Sequence, residues 1–187
     1  MSRLSLLEVD DLSAEQRVIY DAIQSGPRGA MGLAGPFGVW VRAPAVGNAI
    51  QQLGAAARFA TSLDEATKEI AICTVGAHFK AKFELAAHKN LAQRAGISAE
   101  VTEAIQKGEP PDFATDEHQL SHRMASQLLN QHRLDDDTYR QGVELWGESG
   151  MIELVTVIGY YCIVSLTLNT FEIPVSDAMQ DPFPELP

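Results

Sequence analysis

Cysteine is scarce: Cys73 and Cys162 are the two in 187 residues, far apart and each flanked by apolar neighbours. That excludes a disulfide framework and the spacing of a zinc site. Each reads as small core filler. Positive charge is also short, with 14 Lys and Arg against 25 Asp and Glu, a net charge of −11. Such a balance argues against nucleic acid or an anionic membrane surface as the main partner. Strand signals are almost absent. The longest apolar run, Leu154 to Leu168, is too short and too polar for a membrane span. Met1 to Leu12 lacks a signal-peptide pattern, so a cytoplasmic location is expected. The Gly-rich loop GPRGAMGLAGPFG has no GK[ST] ending and no strand before it, which argues against phosphate binding. His118 and His122 lie one helical turn apart with His132 beyond, but no HExxH is present and the region reads as solvent-facing. No metal is expected.

Helix signals recur instead. Ser13 caps a helix from Ala14 to about Gln24, with Gln16 as its capping-box partner. Further helices are expected over Ala45 to Phe59 and from Asp64-Glu65 onward, with a break near His78 to Ala81. Others follow at Phe83 to Arg94, Ala99 to Gln106, Asp116 to Asn130, Asp137 to Glu148 and Met151 to Leu168. The expectation is an all-α, single-domain bundle of about seven to eight helices over residues 1–187, with extended tails at 1–12 and 174–187. A weak internal duplication is suggested by RFATSLDEATKEIAICTVGAH and QGVELWGESGMIELVTVIGYY, in which Glu153 falls where Glu69 does.

The stretch from Glu69 to His88, EIAICTVGAHFKAKFELAAH, carries the chemistry. Glu84 and His88 are four residues apart and share a helix face. An exposed i,i+4 pair with an unrelated Glu69 near a helix start is one reading. The other is a proton-transfer site. Phe83, Leu85, Ala86, Ala87 and Leu91 leave that helix little polar face, and Glu69 precedes the apolar run Ile70 to Val75. These surroundings favour a sheltered acid/base group.

The same stretch resembles the signature of the carboxymuconolactone decarboxylase / alkylhydroperoxidase D superfamily, with Glu69 at the family Glu and His88 at the family His. Ala81 and Glu84 stand where the peroxidase branch has its two cysteines, whereas Phe83-Glu84 with His88 resembles the decarboxylase-like branch. GPFGVWVRAP (Gly35 to Pro44), the AGIS turn (Ala95 to Ser98) and the late helix from Glu153 extend the likeness over most of the chain. The resemblance implies a cofactor-independent lyase acting on a small carboxylated lactone or keto acid. His88 is then the proton donor or acceptor, oriented by Glu84 or Glu69. A non-catalytic small-molecule-binding member of the fold is the alternative. A thiol peroxidase is disfavoured by the missing thiols.

A carboxylate substrate calls for a cation. Arg42 is the first candidate, with Lys80, Lys82 and Arg58 as alternatives. Trp40 and Phe37 are expected to form a lid or a core anchor, Phe83 and His78 to neighbour the pocket, and Tyr160 and Tyr161 to sit in core or interface. The resemblance also implies a homo-oligomer, a trimer or hexamer.

Overall fold

A computed structural model describes residues 2–186; Met1 and Pro187, the outermost residues of the two expected tails, lie outside the described residues. Among the described residues a short 3₁₀ turn (Val9–Asp11) precedes eight α-helices: α1 (Ala14–Ser25), α2 (Phe37–Trp40), α3 (Pro44–Phe59), α4 (Glu65–His78), α5 (Lys82–Arg94), α6 (Ala99–Lys107), α7 (Asp116–Gln131) and α8 (Asp136–Thr170). No strand occurs among the described residues. The all-α expectation and the number of helices agree with this architecture.

Local chemistry sets most of the helix starts. Ser13 and Gln16 form a reciprocal capping box on α1. Asp64 accepts from the Thr67 amide, Ser98 from Val101 and Asp135 from Thr138, each satisfying an amide that the first turn leaves unpaired. The expected break near His78 is a Schellman turn: Lys80 adopts φ 49°, and the Ala81 amide donates to the Gly76 carbonyl at 2.9 Å. This reversal folds α5 back along α4. The two helices expected at the end run on as α8, interrupted at Gly147, where φ 66° and ψ 177° break the helical geometry.

Helix α4 is the centre of the bundle. Every residue from Thr67 to Gly76 is buried, and α5, α6, α7 and α8 all pack on it. One apolar cluster joins α1, α2, α3, α4, α7 and α8 through residues such as Ile19, Trp40, Ile72, Met124 and Leu154. A second, smaller one joins α4, α5 and α6 through Ile70, Leu85, Ala92 and Ile105. By length and composition α8 could cross a membrane, contrary to the reading of its apolar stretch as too short. Half of its most apolar window is buried inside the bundle, as in a core helix.

One expectation is corrected by packing. The Gly/Pro-rich loop runs into the short helix α2, whose Phe37, Val39 and Trp40 are buried by the core. The C-terminal segment, non-helical over 174–186, is docked on the bundle: Phe183 is buried, Gln106 donates to the Pro182 carbonyl at 2.6 Å, and Lys82 pairs with Asp181 at 3.1 Å.

Candidate acid–base pocket

The α4–α5 reversal brings Glu69 and His88 together although 19 residues separate them. His88 Nδ1 lies 2.6 Å from Glu69 Oε2, and the other Glu69 oxygen accepts from Arg58 Nη1 at 2.5 Å. Arg58 stands at the end of α3, where its Nη2 also reaches Glu65 at 3.3 Å. Lys68 fixes this corner by donating to the Arg58 carbonyl at 2.8 Å while pairing with Glu65 at 2.7 Å. On the other side of the ring, His88 Nε2 is 2.9 Å from Glu84 Oε1, one helical turn back. The result is a row of alternating charge, Glu65–Arg58–Glu69–His88–Glu84, mostly buried.

Glu84 differs from Glu69 within this row. Glu69 has both oxygens engaged by aligned donors and is 1% exposed. Glu84 is 3% exposed, yet its Oε1 has no aligned hydrogen bond, because the short approach of His88 Nε2 is poorly directed. A buried carboxylate oxygen in that state retains capacity for a donor.

Burial opposes a charge on His88, but the neighbouring Glu69 and Glu84 carboxylates outweigh it and raise the imidazole to about 9. His88 is therefore an imidazolium at neutral pH. Burial likewise opposes the Glu69 charge, and His88 followed by Arg58 overcomes it, lowering Glu69. Tyr161 packs edge-on against the His88 ring with centroids 4.9 Å apart, and Tyr160 against Tyr161 at 5.1 Å. Burial raises both phenols, Tyr160 to about 12, so both stay neutral donors.

Glu84 and His88 open onto a cavity of about 460 Å³ whose polar lining includes Arg28, Arg58 and the two tyrosines, with Phe37, Phe59 and Phe83 among its apolar walls. Glu69 stands behind His88 and does not line it. A larger hollow of about 710 Å³ lies beneath the C-terminal segment. It holds Lys80 and Lys82 but none of the buried acid–base groups, so the chemistry belongs to the smaller cavity. Phe83 borders both.

The other expected residues are placed as follows. Arg42 does not reach the cavity: its guanidinium donates to the Gly38 carbonyl at 3.0 Å and the Ser5 carbonyl at 2.6 Å, pinning the N-terminal segment. Trp40 is a core residue behind Tyr160, with ring centroids 6.1 Å apart, rather than a lid. His78 is exposed at the end of α4, against Phe79, outside the cavity. Glu153 does not join the site as a second Glu69; it accepts from the Ser62 amide and hydroxyl at 2.8 and 2.7 Å. Among the described residues no group of three or more His, Cys, Asp or Glu could hold a metal ion, and His122 faces Thr74 at 2.9 Å. Arg28 escaped the sequence reading; its one signal is a charged residue in a Gly/Pro-rich loop, where binding groups concentrate.

No protein-family model matches the chain, and no curated protein matches its sequence. Among solved structures, the crystal structure of an uncharacterized peroxidase-related protein from Silicibacter sp. TM1040 is similar, with a TM-score of 0.69 and 13% identity over 95% of this chain and 93% of that one. At that identity the likeness is one of fold. The fold is an all-helical, alkylhydroperoxidase D-like bundle.

Proposed function

We propose that the protein is a small-molecule-binding member of the carboxymuconolactone decarboxylase / alkylhydroperoxidase D superfamily, with the His88 cavity as its binding site. Its fold and the likeness to a peroxidase-related protein support the superfamily. The observation that carries the binding reading is a half-open cavity of about 460 Å³, aromatic on its walls, onto which the buried, incompletely bonded Glu84 faces. Apolar walls with few convergent polar groups are the usual make-up of a ligand pocket. A thermal-shift screen of small carboxylates and ketones tests this reading. Stabilising compounds should lose their effect in Glu84→Gln, and a screen without hits, or hits indifferent to that change, would reject it.

A second reading is catalysis, favoured by the His88 imidazolium held between two carboxylates. In a cofactor-independent decarboxylation the bond to the carboxylate carbon breaks, carbon dioxide leaves, and the electron pair enters a carbonyl already present in the lactone or keto acid. The His88 imidazolium then delivers a proton to carbon and regains one from solvent. Glu69 positions the ring from behind and Glu84 from the pocket side. Carbon dioxide release from γ-carboxylactones or β-keto acids, abolished in His88→Ala with helix content intact, is the expected result. Undiminished release in that variant removes His88 from the role. Thiol peroxidase chemistry is disfavoured, because Cys73 is buried and held protonated by burial and by Glu69, and Cys162 is also raised by burial. A cytoplasmic, trimeric or hexameric protein belongs to the same proposal.

A further inference from the structure

Three arginines line the cavity, Arg28, Arg58 and Arg94, in different electrostatic situations. Arg94, at the end of α5, is exposed to solvent. Arg58 is neutralised by Glu69 and Glu65. Arg28 forms no ion pair among the described residues, although it is half-buried. Its Nη1 donates to the Gln51 carbonyl at 3.2 Å, and its Nη2 lies 3.5 Å from the Tyr160 hydroxyl, at the outer limit of a hydrogen bond. A guanidinium carries five N–H donors in a planar fork, so most of this one's donor capacity is free. The fork is also held in place: the Phe37 ring centroid is 5.6 Å from its central carbon and the Phe59 centroid 5.9 Å.

The backbone nearby is shaped around this side chain. A Cβ on Gly54 would fall 2.1 Å from the Tyr160 hydroxyl and 2.4 Å from Arg28 Nη2. Only glycine lets α3 pass this close to the pair. Tyr160, Tyr161 and His88 then succeed one another in edge-to-face contacts along the same wall. A ligand anchored at Arg28 therefore extends toward the acid–base end of the cavity, between aromatic side chains.

We infer that Arg28 anchors a ligand carboxylate, so that the His88 cavity selects small planar carboxylates over neutral molecules of the same shape. This rests on the binding reading above and names its ligand class. A bidentate guanidinium–carboxylate pair in a partly desolvated site supplies both the affinity and the direction.

Isothermal titration calorimetry of the full chain with benzoate and with benzamide tests it, because the two probes share a shape and differ in charge. The wild type should prefer benzoate. Arg28→Met should weaken benzoate binding roughly tenfold to a hundredfold, the effect of losing charge-assisted hydrogen bonds, with little change for benzamide. Arg28→Lys, which keeps the charge but not the fork, should fall between and guards against a folding defect in the first variant. Far-UV circular dichroism and the His88 titration should match the wild type in both. An unchanged benzoate preference in Arg28→Met overturns the anchor while leaving the binding site standing. If the wild type binds benzamide as well as benzoate, the carboxylate selectivity is refuted and the cavity remains a binding site. If neither probe binds the wild type, the anchor and the carboxylate class fall together.

Discussion

Glu69→Gln removes the carboxylate that both Arg58 and His88 address. In the intact site His88 is raised to about 9, whereas an unfolded histidine titrates near 6.5. A folded pKa above the unfolded one adds stability that is complete below the unfolded value and is lost as pH rises through the folded value. The window is therefore about pH 6.5 to 9. At roughly 1.4 kcal/mol per unit, the loss across it is about 3 kcal/mol, a sizeable share of the ~5–15 kcal/mol that holds a domain folded. In the variant, burial faces Glu84 alone, so the rise in His88 shrinks and the slope across that window should flatten. The variant should also be less stable at about pH 6.5 by roughly 3–5 kcal/mol, since Arg58 and His88 keep their buried positions without their shared partner. Urea unfolding followed by far-UV circular dichroism at intervals between about pH 6 and 9.5 reads both effects. Stopping there keeps Tyr160, raised to about 12, out of the titration. A level wild-type profile over this range, or an equal slope in Glu69→Gln, would refute the electrostatic reading of the site.

Two glycines separate collision from backbone strain. Gly47→Ala places a Cβ 2.1 Å from the Trp40 carbonyl oxygen, and because backbone cannot swing aside the cost should exceed the ~1–3 kcal/mol of ordinary overpacking. Gly147→Ala meets nothing within 4 Å but imposes φ 66° with ψ 177° on an alanine, a backbone region essentially reserved to glycine, a loss of about 1–3 kcal/mol; equal urea midpoints for the two would contradict this ordering. For the thiols, iodoacetamide at neutral pH should label half-buried Cys162 slowly and buried Cys73 only after unfolding, read by mass spectrometry. Rapid modification of native Cys73, or peroxide consumption that disappears in Cys73→Ala, would restore the redox reading.

What was legible in the sequence was local. The Ser13–Gln16 box is made of short-range bonds and α1 starts where those residues stand, and the helix expected from Asp64-Glu65 begins at its Asp64 cap. The spacing of Glu84 and His88 on a helix with little polar face likewise indicated a buried pair, and Glu69 meets it through the α4–α5 reversal. Partners brought in by tertiary packing were not legible. Arg42 and Arg28 both lie in or next to the same loop region, and only the fold turns one toward the carbonyls of Gly38 and Ser5 and the other into the cavity. Helix α2 was missed for a similar reason: Phe37, Val39 and Trp40 are helical because the core buries them, in a segment whose glycines and prolines signal a loop. Nothing local in the proline-rich end shows that Phe183 finds a buried seat against α5 and α6.

The most direct measurement is chemical-shift mapping by NMR, with side-chain signals of His88, Tyr160 and Tyr161 assigned, during titration with compounds that stabilise the protein. The expected result is a saturable shift of those three rings, including a change in the His88 titration, while signals around Lys82 and Asp181 stay in place. Shifts confined to the hollow beneath the C-terminal segment, with the His88 ring unmoved, would contradict a binding site at His88.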